Sequence, residues 1–316
     1  MAALTKLLVR ILIVASVVFF VVRAVPLDPA LAIAGPAAGE QELRQLRILL
    51  GLDRPLWEQY LIFLERLAFL DFGESISFGI SVGSIIWSSA LSTLILAALA
   101  VAQGLLIYAS LITCYVFLAS SRWRPLFSRL VGIVGLAAIA VPSFVAGALF
   151  LVIFGAVFSI FPISGPPAAW PDRLAYMVVP SLLLALPGIV SMTQAGLGRV
   201  ADMLDSDWCQ ALMVLGFPRG WSGIMRYIVH GVYPLTIAYL GNLMIYVFSG
   251  AVVIEIVFTL PGIGETMLSA LRRGDYPVVE AVVIVTATFL AFVQWLSVIL
   301  TQNMSNLPEK ERVDRV

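Results

Sequence analysis

The chain has 316 residues, of which 61% are hydrophobic and only 12% are charged. Soluble domains are about a quarter charged, and a globular core of this length could not bury so much apolar surface. Nineteen Lys and Arg residues balance nineteen Asp and Glu residues, so no excess of positive charge indicates a nucleic-acid partner. One histidine and two cysteines leave little material for a metal site or a disulfide framework. The composition predicts an integral membrane protein.

Six apolar runs are long enough to cross a membrane, because a bilayer core of ~30 Å needs about 20 apolar residues of helix. They are residues 7–25, 92–120, 130–161, 174–197, 233–258 and 278–302. The first run ends in a poor signal-peptidase site, so it is predicted to be a retained anchor rather than a cleaved signal peptide. Pro142 in the third run and Pro180 and Pro187 in the fourth predict kinks.

The positive charges of the short loops predict the orientation, because cytoplasmic loops are enriched in Lys and Arg. With the N-terminus inside, most of these residues lie on the cytoplasmic side, and both termini are predicted to be cytoplasmic. The cytoplasmic set is Lys6, Arg10, Arg122, Arg124, Arg129, Arg199, Arg219, Arg226, Lys310, Arg312 and Arg315, and the short outer loops hold Arg173, Arg272 and Arg273.

Residues 26–91 form the longest predicted extramembrane segment. Asp53 and Pro55 are typical of a helix start, and Trp57, Tyr60 and Leu61 begin an apolar pattern at helical spacing. The pattern predicts an amphipathic helix that either lies at the membrane surface or packs against the protein's own outer region. Both alternatives remain open, and neither identifies a substrate.

The predicted cytoplasmic segment 199–232 contains Asp207 and then an apolar stretch that ends at Phe217. Gly216 and Pro218 are typical of a helix end, and a second short helix is expected from about Trp221. The apolar side chains before this end would face water without a cover, which usually marks a partner site. The alternative is that they fold back onto the protein's own helices.

The outer connection between the last two runs has irregular backbone. It contains a turn at Pro261 and Gly262 and a further glycine, Gly264. Asp275 and Pro277 then predict a helix start with an aspartate N-cap. Irregular backbone at membrane depth is tolerated where protein buries it or where it lines a water-filled cavity. The segment is therefore either a wall of a pathway or a plain loop.

No residue pattern for catalysis or nucleotide binding is present. The chain contains no Gly-x-x-x-x-Gly-Lys-Ser/Thr phosphate loop. Glu255 and Glu280 lie near the ends of spans, so a proton or sodium relay across the midplane has no support. Gln103 lies within a span and is best explained by a hydrogen bond between helices. The single histidine, His230, is best explained as an interface residue.

Segments along nearly the whole chain resemble the permease subunits of ABC importers, and specifically the first permease of the dipeptide/oligopeptide/nickel branch. Each match alone is weak, but together, in order and at matching spacing, they are hard to reach by chance. The matching segments are residues 23–29 (RAVPLDP), 50–60 (LGLDRPLWEQY), 71–75 (DFGES), 141–144 (VPSF), 161–165 (FPISG) and 250–279, which includes GAVVIE, PGIG and DYPVV.

The resemblance implies an all-α polytopic membrane protein with about six transmembrane helices, the ABC importer type I-like permease fold, in a bacterial inner membrane. In such importers this chain would pair with a second homologous permease, giving a heterodimer. Two cytoplasmic ATPases would bind ATP and Mg, and an extracytoplasmic binding protein would deliver the cargo. The chain itself would be a non-catalytic subunit without a cofactor. The implied cargo is a peptide or a similar small solute, and a nickel chelate is another option.

The resemblance also assigns roles to residues. The family's coupling loop carries Glu-Ala-Ala-x-x-x-Gly and a later proline, and the corresponding positions here begin at Gln210. The predicted ATPase-coupling residues are Asp207, Gln210, Ala211, Leu212, Leu215, Gly216, Phe217, Pro218 and Pro234. The candidates for an outer gate or pathway are Glu255, Pro261, Gly262, Gly264 and Asp275. Met213 and Leu215 stand where family members often have basic residues.

These expectations divide the chain into four parts. They are an N-terminal transmembrane helix (1–25), an extracytoplasmic segment with an amphipathic helix (26–91), a five-helix permease core (92–303, with the coupling loop at 199–232) and a cytoplasmic tail (304–316). The alternative function is a stand-alone channel or an ion-coupled carrier, which would need mid-span charges or an internal repeat. A third, an intramembrane hydrolase, would need a catalytic constellation. The sequence shows no mid-span charges, no internal repeat and no catalytic constellation.

Overall fold

The computed structural model describes residues 2–24, 28–35, 38–118, 122–169, 171–214 and 221–305. The regular structure of these residues is helical, apart from an isolated bridge between Glu74 and Ser81. This confirms the all-α prediction. The helices are α1 (Ala2–Ala24), α2 (Pro29–Ala34), α3 (Glu40–Leu49), α4 (Leu56–Ala68), α5 (Val82–Phe117), α6 (Arg124–Ala140), α7 (Ser143–Phe150, continued by a π-helix, Leu151–Val157), α8 (Asp172–Leu204), α9 (Asp207–Val214), α10 (Trp221–Val257), α11 (Ile263–Arg273) and α12 (Tyr276–Ser305).

Within the described part of the chain, four helices are long and apolar enough to cross a bilayer. They lie in α5, α8, α10 and α12. A fifth candidate is the pair of α6 and α7, which is bent by 86°. The bend falls at Val141 and Pro142, where the sequence predicts a kink, because proline cannot continue the hydrogen-bond ladder of α6. The first predicted span forms a helix, α1, which is not among these four.

Three of the predicted spans lie in helices that differ from the prediction. α10 runs as one helix from Trp221 to Val257, so the prediction of a separate short helix from about Trp221 was wrong: that segment is continuous with the fifth span. α5 begins at Val82, well before residue 92, so the end of the predicted extramembrane segment belongs to the same helix as the second span. α8 continues through Pro180 and Pro187 as one helix. Neighbouring helices and side chains can satisfy the backbone groups that a proline frees inside a membrane helix.

The chain divides into two compact units. The first contains residues up to Leu94 together with Thr259–Phe292, and the second contains Ile95–Phe258 together with α12 from Val293 onward. In the first unit, α1, the start of α5, α11 and the start of α12 share an apolar core. Its buried residues are Val22, Val82, Ile86, Ala270, Tyr276, Val278, Val279, Ala281 and Val282.

In the second unit α8 packs closely against α10 and α6, and side chains of α5 join the same core. Its main core consists of Tyr108, Ile112, Tyr115, Val116, Met192, Leu197, Val200, Met203, Leu204, Cys209, Ile228 and Val232. Gln103 on α5 donates hydrogen bonds to the Ser181 hydroxyl (2.7 Å) and the Val178 carbonyl (3.3 Å) on α8. This confirms the expected hydrogen bond between helices.

At Gly188, α8 approaches the backbone of α10 closely. A Cβ there would lie 2.4 Å from Leu243 Cδ1 and 3.2 Å from Leu243 Cα. We expect Gly188→Ala to lower the free energy of unfolding by about 1–3 kcal/mol, because the two helices would have to separate. Denaturant unfolding of the purified chain measures this.

Gly198 is the matched control, because it lies on the same helix and a Cβ there would meet nothing within 4 Å. Gly198→Ala is expected to leave stability unchanged or raise it by at most about 1 kcal/mol, through helix propensity. Equal effects of the two substitutions would show that the close approach at Gly188 is unimportant.

Candidate functional site

The short helix α9 lies in the predicted coupling segment and has a well-formed N-terminus. Asp205 and Ser206 separate it from α8. The Ser206 hydroxyl accepts a hydrogen bond from the Cys209 backbone N–H (3.3 Å) and donates one to the Met203 carbonyl (2.7 Å). Serine is a favoured N-cap because its side chain satisfies an N–H group of the first turn. These contacts fix the direction in which α9 leaves α8.

α9 has one buried side and one exposed side. Cys209 is 5% exposed and belongs to the core of the second unit, with Met203 and Ile228. Asp207, Gln210, Ala211 and Val214 are exposed, and Val214 is 88% exposed. Their spacing of three, four and seven residues places them on one face of the helix. The structure therefore brings three predicted coupling residues, Asp207, Gln210 and Ala211, to one open surface.

The other predicted coupling residues are distributed differently. Leu212 lies on α9, but its side chain is outside the described part of the structure. Leu215, Gly216, Phe217 and Pro218 lie outside the described residues. Pro234 lies inside α10 and is exposed.

An ion pair that the sequence analysis missed holds the link between α8 and α9. Arg124, the first residue of α6, donates to both carboxylate oxygens of Asp205, at 2.9 and 3.0 Å. Its Nε donates to the Tyr115 hydroxyl at 3.0 Å. The hydrogen bonds from Arg124 hold the pKa of the Asp205 carboxyl below its ordinary value of 3.8. The carboxylate therefore stays charged at neutral pH, and the pairing would be lost only as the pH falls below this value.

Among the predicted gate residues of the first unit, Asp275 is 1% exposed. Its carboxylate accepts hydrogen bonds from the Ser75 hydroxyl and from the backbone N–H groups of Ile76 (3.2 Å) and Ser77 (3.1 Å). α12 begins directly after Asp275, as the sequence predicts. The Asp275 carboxylate is thus hydrogen-bonded to the turn at residues 75–77, and it joins two segments that are distant in the sequence.

Hydroxyl groups attach α11 to the start of α5. The Thr93 hydroxyl accepts a hydrogen bond from the Ile263 N–H (2.9 Å), and the hydroxyls of Ser89 and Thr266 lie 2.6 Å apart. Gly262 and Gly264 are buried at this contact, whereas Pro261 is exposed. Beside it lies an open cavity of about 420 Å³. Its lining is largely apolar, with Phe78, Ile80 and Ile85 among the residues, and it also carries polar side chains: Ser84, Ser88, Glu265, Thr266, Ser269 and Asp275.

Glu255, the remaining gate candidate, lies in α10 of the second unit and is 1% exposed. The other four candidates lie in the first unit. The structure thus groups Pro261, Gly262, Gly264 and Asp275, and it places Glu255 in a separate compact unit.

A second ion pair, which is mostly buried, joins α1 to α12 within the first unit. The Arg23 guanidinium contacts the Glu280 carboxylate, and both side chains are mostly buried, at 18% and 10% exposed. Arg23 Nε also donates to Gln59 on α4 at 3.1 Å, and its guanidinium lies 3.5 Å from the centre of the Phe19 ring. These residues adjoin a cavity of about 350 Å³. The pairing explains why an acidic residue is tolerated near the start of the candidate span in α12.

α4 combines features of both alternatives for the amphipathic helix. Tyr60 packs on Phe19 of α1 (ring centres 5.2 Å apart), and its hydroxyl lies 2.7 Å from the Ser16 hydroxyl. Trp57 and Leu61 remain 65% and 55% exposed. One face of α4 is therefore covered by the protein, and an apolar face remains open.

We expect the open face of α4 to contact lipid, because exposed Trp and Leu side chains are favoured at the membrane interface. Spin labels at Trp57→Cys and at Arg66→Cys, in a chain with Cys114 and Cys209 replaced by alanine, test this. The label at position 57 should collide more with oxygen than with a water-soluble nickel chelate. The label at position 66, on another face of α4, should show the reverse. Equal accessibility at the two positions would contradict lipid contact.

Among the described residues, no group of His, Cys, Asp or Glu side chains is arranged to hold a metal ion. The structure shows an exposed surface and contacts between helices: the exposed face of α9, the ion pair between Arg124 and Asp205 next to its N-terminus, and the hydroxyl contacts of α11. Such an arrangement suits a helix, α9, that binds a partner protein and is moved by it.

Comparisons with known proteins agree with this description. The family described as "Binding-protein-dependent transport system inner membrane component" matches residues 112–306. A second, described as "Binding-prot-dependent transport system membrane comp, N-term", matches residues 2–77. The "Glutathione transport system permease protein GsiC" of Salmonella choleraesuis (strain SC-B67) is 29% identical over 282 residues, which is 89% of each chain. The protein of that name from Escherichia coli (strain K12) is 27% identical over 278 residues, 88% of each chain.

Proposed function

Because this chain belongs to the family of binding-protein-dependent transport system inner membrane components and is a permease subunit of an ABC importer, we propose that α9 is the helix through which ATP hydrolysis by partner subunits drives transport. It is a multi-pass membrane protein and a transport subunit rather than an enzyme. Importers of this family work with ATPase and binding-protein partners.

The observation that carries the proposal is the two-sided character of α9. Cys209 anchors one side in the core, while Ala211 and Val214 stand open on the other. Asp207 and Gln210 flank them as polar groups. A short helix with small apolar side chains between polar ones fits the helix-in-groove mode of recognition. The ATPase would supply the groove.

The rest of the assembly follows the same proposal. The chain pairs with a second, homologous permease, and one ATPase docks on the α9 of each permease. Both termini face the cytoplasm, in agreement with the distribution of Lys and Arg. ATP and Mg bind to the ATPases, and this chain holds no cofactor. Closure of the ATPases moves α9 and rocks the spans between outward-open and inward-open states.

The proposed cargo is a small peptide of the size of glutathione, with a nickel chelate as the other option. The support is that the relatives of this chain are named as glutathione transport permeases. The cavity beside α11 has a largely apolar lining with a few polar groups, which are serine and threonine hydroxyls and the acidic residues Glu265 and Asp275. Such groups suit a polar peptide without selecting one sequence.

The test is purification of the tagged full chain from mild detergent, followed by mass spectrometry of the captured proteins. We expect a second multi-span permease and ABC ATPases. The complex is then placed in liposomes with its binding protein, and uptake of glutathione, a dipeptide and a nickel–histidine complex is measured with and without ATP. A chain that purifies alone and moves solute without ATP would contradict the proposal and favour an ion-coupled carrier.

A further inference from the structure

The ion pair between Arg124 and Asp205, next to the N-terminus of α9, orients the chain more than it stabilises the fold. Arg124 is held in place, with its side chain 17% exposed, whereas Asp205 is 64% exposed. An ion pair this open to water contributes about 0–1 kcal/mol. The planar guanidinium fork nevertheless fixes the direction of the carboxylate that it grips at two points. The pair therefore fixes where the α8–α9 link lies.

Three helix ends meet at this point. Arg124 begins α6, and Tyr115, which accepts its third hydrogen bond, lies in the last turn of α5. Asp205 ends α8, and its backbone carbonyl accepts a hydrogen bond from the Gln210 side chain of α9 at 3.3 Å. The guanidinium also lies 5.3 Å from the centre of the Tyr115 ring. One side chain, that of Arg124, therefore connects the α8–α9 link to the ends of α5 and α6.

We propose that Arg124 is a positioning residue that acts through Asp205: it orients α9 for its ATPase and transmits the movement of α9 to α5 and α6. This inference rests on the proposed function of α9. The exposed face of α9 makes the contact with the ATPase. The ion pair determines how much of the resulting movement reaches the spans.

The experiment uses the reconstituted importer and measures uptake per ATP hydrolysed. Arg124→Gln and Asp205→Asn should each lower this ratio about tenfold, within the range of coupling between two sites, while the ATPases still co-purify. Arg124→Lys keeps the charge but loses the two-point grip, so it should resemble Arg124→Gln. The exchange Arg124→Asp with Asp205→Arg restores an opposite-charge pair and should recover part of the ratio. Arg129→Gln, on the exposed surface of α6, is the matched control and should behave as wild type.

Two outcomes would overturn the inference. The first is wild-type uptake per ATP in both single variants. The second is a loss in the single variants that the charge exchange does not improve. Failure of the proposed function is distinct, because then the unmodified chain would capture no ATPase, or Val214→Asp would not weaken the capture. Single variants that keep ATPase capture, lose uptake per ATP and regain part of it on charge exchange would support the inference.

Discussion

Val214→Asp is expected to weaken ATPase binding and so to reduce ATP-dependent uptake strongly, while leaving the permease folded. Val214 is 88% exposed in the isolated chain, so the substitution removes almost no internal packing. In a docked complex the same position would be buried, and an unpaired carboxylate there would be costly. Interface residues of this kind contribute about 2 kcal/mol or more, which corresponds to about 30-fold weaker binding. Titration of the purified ATPase onto the permease in nanodiscs measures the dissociation constant directly.

The control for this prediction is Val214→Thr, which keeps the branched shape and adds no charge. It should bind the ATPase within a few-fold of wild type. Thermal unfolding should be the same for the wild type and both variants, since the side chain is exposed. Binding of Val214→Asp at wild-type affinity would show that this face of α9 does not dock.

Glu280→Ala is expected to destabilise the protein by roughly 3–5 kcal/mol, the range for removal of one partner of a buried ion pair. The reason is that Arg23, whose side chain is 18% exposed, would keep its charge without its main counter-ion. Unfolding in mixed micelles with increasing SDS, followed by tryptophan fluorescence, measures the free energy. The apolar double variant Arg23→Met with Glu280→Leu should regain most of the loss, because it buries no charge.

An exposed pair in the same unit provides the comparison. Arg44 and Glu40 are 75% and 89% exposed, one turn apart on α3. Glu40→Ala should change the free energy of unfolding by less than about 0.5 kcal/mol, because water screens such a pair. If Glu280→Ala were as mild as Glu40→Ala, the Arg23–Glu280 contact would have no structural role. A double variant as unstable as Glu280→Ala would exclude the unpaired charge as the cause.

Much of the fold is predictable from the sequence, because the signals that specify a membrane helix are local. The long apolar runs correspond to α5, α8, α10 and α12, and Pro142 correctly marks the bend between α6 and α7. The common face of Asp207, Gln210 and Ala211 likewise follows from helical spacing alone. The order of motifs along the chain indicated the permease family that the comparisons confirm.

The partners of the charged residues are not predictable in this way. Arg124 and Asp205 are 81 residues apart, and in the sequence Arg124 is one basic residue among several in a loop. Asp275 is recognisable as a helix-start residue, but not as the acceptor for Ser75, which lies 200 residues away.

The sequence by itself thus determined where the long apolar helices α5, α8, α10 and α12 lie, because hydropathy and periodicity act within single helices. Only the tertiary structure decided which charges are paired, where α4 packs, and which side of α9 is open. Those features depend on the packing of distant helices. The burial of Cys209 and the exposure of Val214, five residues apart on one short helix, both follow from the placement of α9 against α8 and α10.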